Sequence, residues 1–141
     1  MKKELLLWGI CVLFTVSTGC KTTSSHKCAY EQLSGKWTVT SINGEKIKIE
    51  ENPFIEFDVK NNKIHGKTGC NILNGTFVRN VENTCAITIP PAATTMMACP
   101  DMEVESHFLK ALQNVAAYKI DQSKLRLFDT DKKIVLELIK N

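Results

Sequence analysis

Residues 66–75 read GKTGCNILNG, and residues 94–100 read TTMMACP, so a glycine-rich stretch with one cysteine is answered much later by a second cysteine just before a proline. Glycines reach backbone angles closed to other residues, which makes the first stretch a place where the chain reverses. It divides the middle of the molecule into short pieces, with strands expected at residues 63–65 and 75–79 on either side. A chain cut this way folds from short strands and tight turns.

The remaining pattern agrees. Residues 36–42 (KWTVTSI) alternate imperfectly between apolar and polar and end in Asn43-Gly44, the strongest short hairpin signal. Residues 54–59 (FIEFDV) are β-branched and aromatic, with Pro53 at their entrance, where a missing amide donor is harmless. Asn61-Asn62 supplies the next turn. Residues 84–89 (TCAITI) form a further strand, stopped by Pro90-Pro91. One helix is expected at residues 102–117: Asp101 is its N-cap, Glu103 and Glu105 suit the positive end of its dipole, and Phe108, Leu109, Leu112, Val115 and Ala116 recur at helical spacing. Strands at 118–120, 124–128 and 134–139 close the chain, the last two joined by a turn at residues 129–132 (DTDK). Short strands at hairpin spacing around one amphipathic helix make a mainly β, α+β domain: a curved antiparallel sheet or small open barrel packed with that helix.

The N-terminus speaks to compartment. Lys2 and Lys3 precede an apolar run at residues 5–16, and small and polar residues then lead to Gly19 and Cys20. That is the pattern of a secretory signal peptide. The run is short of the roughly 20 residues a membrane-spanning helix needs. Gly19-Cys20 looks like a bacterial lipobox with Cys20 as the acylated mature N-terminus, although Ser17 stands where an aliphatic residue is usual and Glu4 dilutes the basic start. Ordinary cleavage near Thr18, leaving Cys20 a free thiol, is the alternative. The expected organisation is a signal peptide at 1–19, a lipidated N-terminus and tether at 20–32, and one domain at 33–141. Lys21 after the lipid site, in place of an aspartate, favours an outer membrane and its periplasmic face.

Removing residues 1–19 takes away two lysines and one glutamate and lowers the formal charge from +3 to +2. A nearly balanced chain with no basic run and few aromatics is not built to neutralise phosphates, so no nucleic-acid partner is expected. With Cys11 lost in the leader and Cys20 lipidated, Cys28, Cys70, Cys85 and Cys99 remain, and four cysteines allow three pairings. Export makes disulfides their default state.

Gly69, Cys70, Asn71 and Gly75, with Thr94, Met96, Met97 and Cys99, carry a resemblance to the META/HslJ domain proteins, covering about residues 33–140. The resemblance implies an incomplete β-barrel packed with a single helix, similar to the lipid-binding pilot lipoproteins of secretion systems. It implies a bond between Cys70 and Cys99, which leaves Cys28 with Cys85. It also implies a non-enzymatic envelope lipoprotein, a monomer without a cofactor, with a role in heat or envelope stress. Trp37, Phe57, Phe77, Phe108 and Leu112 are candidates to line an apolar groove if the barrel is open, and are otherwise core.

Other chemistry finds less support. Met96, Met97, Cys99, Met102 and His107 fall close together, and soft sulfur ligands favour Cu(I). Methionines beside a turn are more simply gap-filling core, and the spacing matches no structural zinc pattern, so no metal is expected. His26, His65 and His107 stand alone, with no nucleophile elbow and no His-Glu-x-x-His. No Cys-x-x-Cys pair suggests redox work. Asp129 and Asp131 read as turn residues, and Asn71 as a side chain that ties down its own turn. The competing functions are a pilot-like binder of an acyl chain, an apolar peptide or an envelope protein, and an inhibitor of a secreted hydrolase acting through residues 80–83 or 129–133.

Overall fold

The period-two alternation that marks the first strand places Trp37 and Val39 on the inner face of β1 (Gly35–Ile42). The computed structural model describes residues 28–100 and 102–141; the signal peptide, Cys20, His26 and the Asp101 N-cap lie outside the described residues. A register irregularity between Val39 and Ser41 shifts the phase of β1, so that Ser41 and Ile42 are both buried. Asn43 (φ 49°) and Gly44 (φ 86°) then reverse the chain. The first of these angles suits asparagine and the second glycine. The returning arm is the short β2 (Glu45–Lys46).

β3 (Phe54–Asp58) and β4 (Lys63–Lys67) form a hairpin whose turn is held by Asp58. Its Oδ1 accepts the amides of Lys60 and Asn61, both at 3.1 Å. β5 (Ile72–Thr76) pairs with β4 in turn, with Gly66 opposite Leu73. A Cβ at Gly66 would run into the backbone carbonyl of Phe54, so glycine there is a condition of β3 and β4 pairing at all. β6 (Val78–Arg79) and β7 (Ile87–Thr88) make a separate two-stranded ribbon. After β8 (Ala93–Thr94) and the helix α1 (Met102–Gln113) come β9 (Ala117–Asp121), β10 (Lys124–Phe128) and β11 (Ile134–Lys140).

The large sheet runs β8, β5, β4, β3, β1, β11, β10, β9, with β2 added to β1 and every pairing antiparallel. The first long strand therefore lies at the centre and pairs with the last, Trp37 facing Lys140. The sheet curves but is not closed into a barrel. The β6–β7 ribbon lies against its β9 edge, where Ile87 N donates to Ala116 O (3.2 Å) and Tyr118 N to Cys85 O (2.9 Å). Helix α1 packs against β1 and β11 through Phe108, Ala111 and Leu112.

Several boundaries differ from those expected, for reasons that lie in pairing. The glycine-rich stretch turns only at residues 68–71, so β4 extends to Lys67 and β5 begins at Ile72. Phe77 drops into the core, its amide bonded to Asn62 O (3.0 Å), which separates β5 from β6. The helix ends at Gln113 because the amides of Asn114 and Val115 bond back to Ala111 O and Leu112 O, and Ala116 N is then taken by Phe128 O (2.7 Å). The strand expected at 84–89 shrinks to Ile87–Thr88. The two-residue strands β2 and β8 leave too little pattern to be read in advance.

Trp37, Phe57, Phe77, Phe108 and Leu112 are all buried in the one core, and Phe77 also borders a surface groove beside Tyr30 and Val59. The curvature brings their rings against one another: Phe57 and Phe77 meet edge to face at 5.4 Å, and Trp37 Nε1 donates to Leu33 O at 2.8 Å. Each such side chain withdrawn from water contributes about 1.5–3 kcal/mol, which explains why they close the interior.

Candidate functional site

Thr68, Gly69, Cys70 and Asn71 form the turn between β4 and β5, and Gly69 takes a positive φ of 111° there. The turn is closed by backbone bonding: Thr68 N donates to Asn71 O at 2.8 Å, and Asn71 N donates to Thr68 Oγ1 at 3.1 Å. Glu105, from the first turns of α1, enters this turn with only 5% of its surface exposed. Its carboxylate accepts from Thr68 Oγ1 (2.5 Å), from Asn71 Nδ2 (2.9 and 3.0 Å) and at longer range from Asn71 N (3.3 Å). Thr68 has one hydroxyl proton, and the short contact to Glu105 takes it in preference to the 3.1 Å approach to Asn71 O. Every polar neighbour thus presents a donor to the carboxylate, the arrangement a buried acid needs.

Asn71 is fully buried and is the hub. Its Oδ1 accepts from Thr95 Oγ1 and from Met97 N, both at 2.8 Å, and its Nδ2 donates to Met97 O at 3.2 Å as well as to Glu105. The Asn71 side chain therefore leaves its own turn to Thr68 and instead fixes the TTMMACP segment to the helix and the sheet. Cys70 is bonded to Cys99 with Cα atoms 6.1 Å apart, a second tie along the same line. Thr68, Thr95 and Glu105 are the members that sequence reasoning missed. Glu105 read only as a helix-dipole residue, and the available signal was its helical spacing with Phe108 and Leu112 on the buried face.

The side chains carried by this fixed backbone point outward. Met96 is 98% exposed and Met97 54%, with Ile72 and Met102 also exposed nearby in the chain and the sheet. The expectation that the methionines fill the core is corrected: the fold uses the Met97 peptide and leaves the thioethers to solvent. His65 and His107 are exposed, and His65 Nε2 lies 3.4 Å from Glu56 Oε2. Asp129 Oδ1 accepts from Asp131 N and Lys133 N, both at 2.9 Å, which is turn chemistry.

At the other end of the domain Cys28 is bonded to Cys85, Cα atoms 5.1 Å apart. Beside it the ring of Tyr118 is buried, and its hydroxyl donates to Thr84 O at 3.1 Å in a half-buried position. Burial raises the Tyr118 pKa above the usual phenolic value, and burial also raises that of Tyr30 against the lowering effect of Arg79. With folded values above unfolded ones, the stabilising contribution is complete below about pH 10 and lost as pH rises through the folded pKa. Tyr118→Phe is expected to cost about 1 kcal/mol near neutrality through its hydrogen bond and to flatten the loss of stability above pH 10. Urea midpoints of the two proteins across the alkaline range check this.

A cleft of about 290 Å³ opens between α1 and the β1–β3 connection, lined by Ile42, Ile47, Ile49 and Val104 together with Glu45, Lys46, Lys48 and His107. Among the described residues no group of three or more His, Cys, Asp or Glu side chains is placed to hold a metal ion.

A family model described as the META domain matches residues 31–140. Among solved structures, a DUF4847 family protein from Bacteroides vulgatus superposes with a TM-score of 0.59 at 18% identity, over 77% of this chain and 94% of that one. A protein from Burkholderia xenovorans, solved by NMR, gives 0.61 at 16% identity over 80% and 86%. Another NMR structure gives 0.59 at 22% identity over 78% and 92%. At these identities the likeness concerns the fold. No curated protein matches the chain.

Proposed function

The chain belongs to the META domain family, and we propose that it is a non-enzymatic envelope lipoprotein, exported and anchored through acylated Cys20 on the periplasmic face of an outer membrane, where it acts as a binding module in envelope stress. The observation that carries the binding role is the TTMMACP segment. Asn71, Thr95 and the Cys70–Cys99 bond hold its backbone, while Met96 and Met97 contribute almost nothing to the core and face solvent. Exposed methionines on a rigid frame suit an apolar protein surface, because the flexible thioether adapts to varied partners. Preorganisation lowers the entropy lost on contact.

The test is genetic and direct. A deletion strain is expected to survive heat and envelope-directed drugs less well, and the wild-type gene to restore survival. Met96→Asp combined with Met97→Asp leaves the fold intact and is expected not to restore it; Cys20→Ser is expected to fail through loss of the anchor. Unchanged survival of the deletion strain sinks the stress role.

A second reading, an acyl chain or apolar peptide as ligand, is favoured by the cleft between α1 and the β1–β3 connection, whose isoleucines and Val104 offer apolar walls and whose lysines would meet a carboxylate. Lipid extraction and mass spectrometry of the purified protein test it, and a lipid-free protein that binds no fatty acid removes it.

A further inference from the structure

We propose that the end of the domain carrying the β6–β7 ribbon docks on the phospholipid surface that holds Cys20, with Val81 entering the interface and Arg79 meeting headgroup phosphate. The inference rests on the lipoprotein reading above and deepens it by assigning the face that lies on the membrane.

The length of the tether comes first. Cys20 stands about eight residues before Cys28, so even fully extended the connection reaches only roughly 28 Å. Cys28 is pinned to Cys85 at the entrance to β7, which fixes where the tether leaves the domain. Whatever face surrounds that disulfide is held within reach of the lipid. The Asn43-Gly44 turn and β2 lie at the far end of β1, since Gly35 starts that strand beside η1 (Tyr30–Leu33) and Ile42 ends it.

The face so held is shaped for an interface. Val81 is 76% exposed and Val78 58%. The loop that projects Val81 is rigid: Asn80 Oδ1 accepts the amides of Glu82 (2.9 Å) and Asn83 (3.0 Å), Asn80 N donates to Ala86 O (3.1 Å), and Asn83 Oδ1 accepts from Cys85 N (3.2 Å). Beside it lies an open groove of about 540 Å³ walled by Tyr30, Val59 and Phe77. The Arg79 guanidinium stacks over Tyr30 at 4.4 Å, and among the described residues no carboxylate comes within ion-pair distance of it. Lys60 in the β3–β4 turn and Lys63 at the start of β4 share this end, as do the acidic Glu31, Asp58 and Glu82. Mixed charge around exposed valines complements a surface offering both phosphate and ammonium groups, and phosphatidylethanolamine offers both. A planar guanidinium with free donors is the group suited to phosphate, and anionic lipid adds attraction for the lysines.

The test uses the acylated full-length lipoprotein carrying Val81→Trp, reconstituted into vesicles of phosphatidylethanolamine and phosphatidylglycerol with brominated acyl chains. Glu45→Trp, on β2 at the far end, is the matched control, and the wild type supplies the background from buried Trp37. Quenching of the Val81→Trp signal by half or more, with little change for Glu45→Trp, is the expected result, and adding Arg79→Glu is expected to reduce it. Acylated protein that sediments with vesicles yet shows equal, weak quenching at both positions overturns the docking while leaving the lipoprotein reading standing, and frees this face for a protein partner. Protein that carries no acyl chain and stays in the supernatant overturns both. Both positions are exposed in the folded domain, and circular dichroism checks that the variants keep their fold.

Discussion

Asn71→Ala is expected to destabilise the domain by about 3–5 kcal/mol, the combined cost of leaving several buried polar groups unpaired at about 1–3 kcal/mol each. The loss is not one of packing volume, since the side chain is small. It strips Glu105 of a donor, leaves the Met97 peptide without both of its side-chain bonds and removes the acceptor of Thr95. Asn71→Asp separates polarity from shape: nearly the same atoms now set an acceptor against the Glu105 carboxylate, and the destabilisation is expected to be at least as large. Glu105→Gln makes the complementary point. One amide orientation keeps an oxygen toward Thr68, but its NH₂ then faces the Asn71 NH₂, donor against donor, at a cost of about 1–3 kcal/mol. Urea midpoints of the three variants give the order. If Asn71→Ala shifts stability by less than 1 kcal/mol, the network is not what holds the TTMMACP segment.

Removing the Cys28–Cys85 bond with paired alanines is expected to cost about 4 kcal/mol, and removing Cys70–Cys99 about 3.5 kcal/mol, from loops of 57 and 29 residues. The second figure is an upper one. Cys70 is adjacent to Asn71, and the hydrogen bonds of Asn71 to Met97 already restrain the same loop, so losing the bond and losing the asparagine are expected to be non-additive. Around Cys28 the same loop is also restrained by side-chain contacts, Tyr30 packing against Phe77 (6.1 Å) and under Arg79 (4.4 Å), but by no comparable buried hydrogen-bond network among the described residues. Against a total stability of about 5–15 kcal/mol for an ordinary domain, losing both bonds leaves little fold. Measured under oxidising conditions, a double-alanine variant at positions 28 and 85 that unfolds at the wild-type urea concentration contradicts the estimate.

How much of this was legible follows from separation along the chain. The Asn43-Gly44 reversal, the Asp129 turn and the strand at 124–128 are set by a few consecutive residues, and these emerge in the structure where the residues put them. The glycine-rich turn and the TTMMACP segment were recognisable because their residue types are unusual and carry the family resemblance. Their physical connection was not. Asn71 and Glu105 are 34 positions apart, and nothing local to either says that they meet. Glu103 and Glu105 look alike as letters in the first turn of a helix. Helical spacing with Phe108 and Leu112 sets Glu105 apart, and the packing of α1 against β1 and β11 buries it while Glu103 stays exposed.

The same distinction divides the molecule as a whole. Residue order alone established a mainly β domain with one helix, its hairpins and its family, because turn chemistry and hydrophobic period act over short range. The tertiary structure decided that β1 sits at the sheet's centre beside β11, that the aromatic residues close a core in place of a groove, and that the methionines face out. Those outcomes depend on which surfaces curvature brings together, and burial energy is settled only when distant segments compete for the same interior.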